Sequence, residues 1–272
     1  MGRGILEPDR IQRIVFPNGL VLVHEPIAST SVVAYHLWVG VGSAHEAESE
    51  LGAAHFLEHM LFKGTEARDS VEINDEIENL GGNVNAFTTY DHTVFHLVLS
   101  NRFWREGLDV LMDMVFHSTL EEEELEVERQ VILEEIREGD DSLESYLGDR
   151  FFESFYRGHP YGRPVVSTQE TTEKFSLGTL QSFYRRLYRP RHMVLAVAGN
   201  VEWHALVDAV RDLTGEITNG SGAVPPIAPV TKMNETTRTL LSRGTEERIL
   251  EVAFPTVDAF HEDVAALELL SV

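Results

Sequence analysis

The hydrophobic and polar positions along the chain change period several times. Residues 13–16 and 20–24 are short, mostly apolar runs with strand character, and Asn18-Gly19 between them suits the positive φ angles of a tight hairpin turn. From about Leu51 to Leu61 the apolar residues recur at helical spacing instead. The first part of the chain therefore predicts a β-hairpin that is followed, after a third strand over 31–43, by a helix.

Helices and strands continue beyond this helix in separate groups. Further helices are predicted over 71–80, 102–116, 121–138, 143–156, 177–188 and 203–213. Further strands are predicted over 83–90, 92–100 and 192–201. Because the two kinds of element cluster without regular alternation, the pattern indicates an α+β fold with an antiparallel sheet.

One segment has the composition of a linker. Residues 219–231 contain three prolines and no charged residue. After them a strand is predicted over 246–256 and a helix over 258–272, which are together too short to form an independent core. We therefore predict a first domain over 1–218, a linker over 219–231 and the start of a truncated second domain over 232–272.

Composition restricts the chemistry that is open to the chain. Cysteine is absent from the 272 residues, so any metal site must use His, Asp or Glu. The 45 acidic against 22 basic residues argue against a nucleic-acid partner and favour cationic ones. The N-terminal segment lacks the apolar core of a signal peptide, and no run reaches the roughly 20 apolar residues of a membrane span. A cytoplasmic protein is expected.

The helix predicted over Leu51 to Leu61 contains HFLEH, the His-Glu-x-x-His arrangement in reverse. His55 and His59 share one helical face, so their imidazole nitrogens can turn toward one metal ion. Glu58 is placed to reach a metal-bound water as general base without coordinating the ion itself. The alternative is a core helix whose histidines bond to backbone, although burying three polar side chains without partners is costly.

A catalytic zinc site needs a third protein ligand beside its water. The best source is the most acidic of the predicted helices, whose buried stripe passes through Ile132 and Ile136. On a helical wheel Glu128 and Glu135 lie about 60 to 80° to one side of this stripe, and Glu134 lies about 180° away. Glu135 is therefore expected to face inward and Glu134 outward.

Two other groups of polar residues are assigned structural roles. Glu121–Glu124 are expected to favour the dipole of a helix that Ser118 or Thr119 caps. His92 and His96 are also four residues apart, but in a strand this spacing separates them by about 13 Å. These two and the remaining eight histidines outside HFLEH are therefore predicted to be structural.

The sequence resembles the pitrilysin-type inverzincin metallopeptidases, the superfamily of mitochondrial processing peptidase and insulin-degrading enzyme. The segments that carry the resemblance are GAAHFLEHMLFKGT (52–65), GGNVNAFTTYDHTVFHL (81–97), ERQVILEEI (128–136), HPYGRPVVSTQE (159–170) and YRPRHMVLAVAGNV (188–201). The resemblance implies an α+β fold with an antiparallel or mixed β-sheet and helices packed on one face. Ser167 departs from the family pattern, which has glycine at this point of a turn.

The resemblance also implies a metal centre. One zinc ion per chain would be held by His55, His59 and Glu135, with Glu58 as general base. Glu128 matches a second acid that supports the site without always binding metal. Because the ligand types alone do not select the metal, manganese or cobalt stay open beside zinc.

The implied activity is that of a zinc-dependent endopeptidase. Asn85 and Ala86 match a strand that pairs with an extended peptide in relatives, so peptides or unfolded segments are the expected substrates. The alternative is that these two residues belong to an ordinary edge strand. A second homologous domain or subunit is expected to complete the active site. The rival interpretation of the whole chain is a non-catalytic or incomplete subunit of a two-part peptidase or assembly complex.

Overall fold

The computed structural model describes residues 11–220, 222–230, 238–244 and 248–270. Within them, six strands form one sheet in the order β1-β2-β6-β3-β5-β4. The strands are β1 Gln12–Val15, β2 Val21–Pro26, β3 Val32–Val39, β4 Asn83–Thr88, β5 Thr93–Ser100 and β6 Met193–Gly199. Neighbouring strands are antiparallel except β2 and β6, which run parallel. The mixed sheet confirms the predicted α+β fold.

The predicted hairpin is formed by β1 and β2. Gly19 has a φ of 87°, a left-handed conformation that glycine adopts without steric cost. The Asn18 side chain accepts a hydrogen bond from the Leu20 N–H at 3.2 Å and so closes the turn. Local turn chemistry therefore sets the first antiparallel pair of the sheet.

Helices cover one face of the sheet. The described helices are α1 Ala53–Met60, α2 Ser70–Asn79, α3 Trp104–Phe116, α4 Glu122–Asp141, α5 Leu143–Phe155, α6 Gln169–Lys174, α7 Leu177–Leu187, α8 Trp203–Thr214 and α9 Val264–Leu270. Along β3, Tyr35 and Leu37 are buried in the core, whereas the alternate residues His36 and Trp38 lie on the more open face. The alternation of buried and more open residues along the strands therefore determines which face of the sheet packs against the helices.

The predicted cap of α4 is wrong. This helix begins at Glu122, and the residue before it, Glu121, provides no side-chain cap. Leu120 has a φ of 49° and turns the chain, so that Ser118 and Thr119 lie outside the first helical turn. The acids of the first turn are present as expected and favour the helix dipole.

The C-terminal predictions are partly wrong. No strand forms over 248–256, the described part of the predicted strand 246–256. A strand needs a neighbour for its backbone groups, and this segment pairs with none of the described strands. The predicted helix is shorter, Val264–Leu270, and α6 was not predicted. The division into a first domain, linker and second domain stays a prediction.

Candidate metallopeptidase active site

Helix α1 lies against α4 and the edge strand β4, and presents three polar side chains from one turn. His55 Nε2 is 3.7 Å from Glu135 Oε1, and His59 Nε2 is 3.7 Å from Glu135 Oε2. The centroids of the two imidazole rings are 4.7 Å apart. One carboxylate of α4 therefore faces both Nε2 atoms of α1.

The two faces of α4 differ as the helical wheel predicts. Glu135 faces the histidines, although 44% of its side chain is exposed to solvent. Glu134 points away and pairs with Arg137 Nη1 at 2.8 Å, with both side chains mostly exposed. Ile132 is buried in the core. The cluster is thus built on the inner edge of α4 and stays open to solvent at Glu135.

Glu128 bridges two basic side chains behind the histidines. Its Oε2 lies 2.9 Å from His59 Nδ1, and its Oε1 lies 2.6 Å from Lys63 Nζ. Burial acts to raise the pKa of Glu128, but the bonds and charges of His59 and Lys63 outweigh it and lower the pKa. In neutral His59 the Nδ1–H donates a hydrogen bond to this ionised carboxylate, which leaves the Nε2 lone pair directed at the cluster.

Glu58 is tied to the sheet rather than to the histidines. Thr88 Oγ1, at the end of β4, donates a hydrogen bond to Glu58 Oε2 at 2.6 Å. Thr88 Oγ1 also lies 3.3 Å from Thr93 Oγ1, which donates to the Val41 carbonyl. Burial raises the pKa of Glu58, opposed by the Thr88 bond and by His59. A carboxyl with a raised pKa is suited to take up and release a proton near neutral pH.

The pKa values of the two histidines are shifted in opposite directions. Burial, with a smaller contribution from His59, lowers the pKa of His55 to about 3, so its imidazole is neutral. Burial acts to lower the pKa of His59 too, but the bond to Glu128 and the charges of Glu128, Glu135 and Glu58 outweigh it and raise the pKa. His55 is therefore a ready ligand, whereas any proton that His59 holds at Nε2 must be released when a metal ion binds there.

The donor set fits a divalent metal ion such as zinc. One ligand atom each from His55, His59 and Glu135 lie within 4.8 Å of one another. Tetrahedral zinc with bonds of about 2.1 Å places its ligand atoms about 3.4 Å apart, close to the separations found here. His55 Nδ1 is buried without a hydrogen-bond partner among the described residues, and such a group costs about 1–3 kcal/mol. A metal ion at Nε2 would not satisfy Nδ1, so the fit to a metal ion rests on the convergence of the three ligand atoms.

Strand β4 forms an open edge of the sheet beside this cluster. Among the described strands it pairs with β5 alone. The Ala86 N–H donates to the Asn85 side chain at 2.8 Å instead of to a neighbouring strand. An unpaired edge of this kind can accept an extended peptide as an additional strand.

The residues predicted for the site fall into two groups. The cluster brings together His55, Glu58, His59, Glu128 and Glu135. Asn85 and Ala86 lie apart from it on β4, which reaches Glu58 through Thr88.

Two residues of the site were not predicted. Lys63 lies beyond Met60, the last residue of α1, so helical spacing gave no signal for its contact with Glu128. Thr88 lies two positions after Ala86, and hence on the same face of β4, which was the available signal in the sequence.

Comparison with known proteins identifies the family. The sequence matches the family model "Insulinase (Peptidase family M16)" over residues 21–169 and the model "Peptidase M16 inactive domain" over residues 174–272. The chain belongs to peptidase family M16. The boundary between the two matches falls at α6, so that β6 belongs to the second match although it pairs with β2 and β3 of the first.

Similar M16 proteins are known from several bacteria. An uncharacterized zinc protease of Mycobacterium tuberculosis is 36% identical over 261 residues, which are 95% of this chain and 60% of that protein. The uncharacterized zinc protease YmxG of Bacillus subtilis is 33% identical over 261 residues, 96% of this chain and 63% of that protein. The crystal structure of a protease from Helicobacter pylori matches with a TM-score of 0.77 and 27% identity, over 80% of this chain and 53% of that one. The chain thus spans about three fifths of these curated relatives.

The structure accounts for the departure from the family pattern at Ser167. This residue has a φ of 81°, the left-handed conformation that favours glycine. Its hydroxyl contacts Thr171, and its Cβ lies at the start of α1 beside Gly52. The serine therefore keeps the backbone conformation of the turn at some cost in strain.

Among the described helices none is long and apolar enough to cross a membrane.

Proposed function

We propose that this chain is the metal-bearing part of a zinc-dependent endopeptidase. The observation that supports this most strongly is the convergence of His55, His59 and Glu135 with Glu58 on the same turn. The ligand set leaves a coordination position for water or substrate, as catalytic zinc sites require. The relatives named as zinc proteases support the choice of metal.

In the proposed reaction Glu58 moves the proton. When bound, zinc supplies a Lewis acid for the scissile carbonyl and for water. Glu58 takes a proton as the water oxygen forms its bond to the carbonyl carbon, and passes that proton to the amine nitrogen as the C–N bond breaks. Thr88 holds one oxygen of Glu58, which leaves the other free to face the water. Glu128 keeps the His59 ring oriented throughout.

The proposed substrates are peptides or unfolded segments that bind as an extended strand along β4. Such a peptide would take the place of the Asn85 side chain at the Ala86 N–H. The formal net charge of −23 favours basic segments. The chain would thus select its substrates by backbone pairing and by charge.

We also propose that a second homologous domain or subunit completes the site, with the first domain over 1–218, the linker over 219–231 and a second domain starting at 232. The support is that the relatives extend well beyond the matched region. A cytoplasmic location stays a prediction. The alternative function, a non-catalytic or incomplete subunit, makes a different prediction, namely zinc binding without turnover.

Metal analysis and peptide hydrolysis by the purified chain test the proposal. One zinc ion per chain and cleavage of an unfolded, fluorescence-quenched peptide are expected. Glu58→Gln should retain zinc and hydrolyse the peptide at least about 100-fold more slowly than the unchanged chain. Glu134→Gln, the same substitution on the outer face of α4, should change neither. Absence of stoichiometric zinc in the unchanged chain would rule out the site, and zinc binding without cleavage would favour the incomplete subunit.

A further inference from the structure

Helix α1 has no cap of its own. The residue before it, Gly52, has a φ of 90° and no side chain that could accept from the first-turn amides. A Cβ at this position would lie 2.8 Å from the Cβ of Ser167, so that glycine is required. The amides at the start of the helix that carries the histidines must therefore find acceptors elsewhere.

Glu46 supplies these acceptors from the preceding loop. Its Oε2 accepts from the Gly52 N–H and its Oε1 from the Ala54 N–H, both at 2.8 Å. The residue is only 6% exposed. The Arg163 guanidinium donates to the Glu46 carbonyl at 3.1 Å and pairs with Glu48 at 2.8 Å, which fixes the loop. One carboxyl group thus clamps the first turn of α1 with both oxygens.

His55 depends on this clamp more than His59 does. His59 is oriented directly, because Glu128 bonds its Nδ1. His55 Nδ1 has no such bond among the described residues, so the position of this ring follows from its packing and from the backbone of the first turn. Ala54, the residue that Glu46 holds, directly precedes His55.

We infer that Glu46 is a positioning residue of the metal centre, which fixes the first turn of α1 and thereby sets His55 Nε2 for coordination. The inference rests on the proposed zinc site. It extends that site to a residue that touches neither metal nor substrate.

The clamp does not depend on the charge of Glu46. Burial raises the pKa of this carboxyl to about 8, against the Ala54 and Gly52 amides and the Arg163 charge, which lower it. Each carboxyl oxygen has a lone pair for an amide in either protonation state. The same two hydrogen bonds therefore form on both sides of this pKa.

Glu46→Gln is the most direct variant. Its side-chain NH₂ replaces one acceptor and faces an N–H, so one hydrogen bond is lost and two donors oppose each other. Glu50→Gln is the matched control, because Glu50 lies in the same loop but bonds Arg186 and the Ala47 N–H rather than α1. Competition with a chromophoric chelator should give a zinc Kd that is 10- to 100-fold weaker for Glu46→Gln and within about twofold of the unchanged chain for Glu50→Gln.

Cobalt substitution separates positioning from general stability. If His55 is displaced, the visible absorption bands of the Co²⁺-loaded Glu46→Gln protein should change in intensity and position relative to the unchanged chain. A lower melting temperature of the metal-free variant with an unchanged zinc Kd and cobalt spectrum would overturn the inference.

A second variant covers failure of Glu46→Gln to fold. Glu46→Asp retains the carboxylate but shortens it by one methylene, and an intermediate loss of zinc affinity is expected. A Kd equal to that of the unchanged chain would then overturn the inference. If the unchanged chain itself binds no zinc, the proposed function fails instead, so the two failures are distinguishable.

Discussion

Two pairs of histidines are four residues apart in this chain, and only one of them forms a metal-binding geometry. His55 and His59 on α1 bring their ring centroids to 4.7 Å and face a common carboxylate. His92 precedes β5 and packs on Trp38 at 4.8 Å, whereas His96 stacks on the cross-strand residue His36 at 5.6 Å. The same sequence spacing therefore has opposite consequences on a helix and beside a strand.

The surroundings of the two pairs differ as much as the backbone does. The helical pair is approached by three carboxylates, which are the proposed general base Glu58, the ring-orienting Glu128 and the proposed third ligand Glu135. The strand pair is in contact with aromatic rings on the more open face of the sheet. Histidine chemistry in this fold is thus decided by which charged groups the neighbouring elements supply.

Removing one histidine from each pair should give the largest contrast. His59→Ala is expected to weaken zinc binding by more than about 100-fold, since losing a ligand costs more than losing an outer partner. His96→Ala loses the ring contacts with His36 and Phe87 and should retain one zinc per chain. Chelator competition and metal analysis measure both, and an equal loss in the two variants would contradict the distinction drawn between the pairs.

A smaller effect is expected from the cation behind the helical pair. Lys63→Met leaves buried Glu128 without one of its two partners, so that it holds His59 less firmly. The zinc Kd should rise about tenfold. Lys174→Met breaks another Lys–Glu pair, with Glu170, in which both side chains are over 70% exposed, and should leave the Kd unchanged. Equal Kd values for the two variants would mean that Glu128 needs no counter-ion.

The start of α1 tests whether the helical pair depends on a special backbone. Gly52→Ala places a Cβ in the left-handed region and against Ser167, and should lower the free energy of unfolding by about 2 kcal/mol. Gly148→Ala, in the interior of α5 with open space around it, should raise it by about 0.5–1 kcal/mol. Urea unfolding measures both. Changes of the same sign in the free energy of unfolding of the two variants would show that the left-handed conformation of Gly52 does not disfavour a side chain at this position.

Much of the fold could be predicted because its signals are local. The Asn18-Gly19 turn and the helical periodicity of α1 can each be recognised within a short stretch of sequence. The pairing of strands that lie far apart in the sequence cannot be recognised in this way. The parallel neighbours β2 and β6 are about 170 residues apart, and no local pattern specifies that they meet.

The site shows the same division. The inward position of Glu135 follows from the period of α4, and the family resemblance adds its role as a ligand. Thr88, Lys63 and Glu46 were missed because their importance arises from contacts between elements, which the period of a single element does not encode. The strand predicted after the linker failed for a related reason, since strand propensity needs a partner strand.

The pH dependence of stability in zinc-free protein should have opposite signs for His59 of the helical pair and for His36, the cross-strand residue on which His96 stacks. Burial and the His96 ring lower the pKa of His36, so its contribution to stability is present above the unfolded pKa of about 6.5 and is lost as pH falls below it. The pKa of His59 is raised, so its contribution is present below about 6.5 and is lost as pH rises through the folded value. On acidification from pH 8.5 to 5, His36→Gln should therefore lose less stability than the unchanged chain, and His59→Gln should lose more. Urea unfolding across this range with a chelator present measures both slopes. Shifts of the same sign in the two variants would contradict the different surroundings of the two residues, because neighbouring carboxylates raise the pKa of His59, whereas burial and the His96 ring lower that of His36.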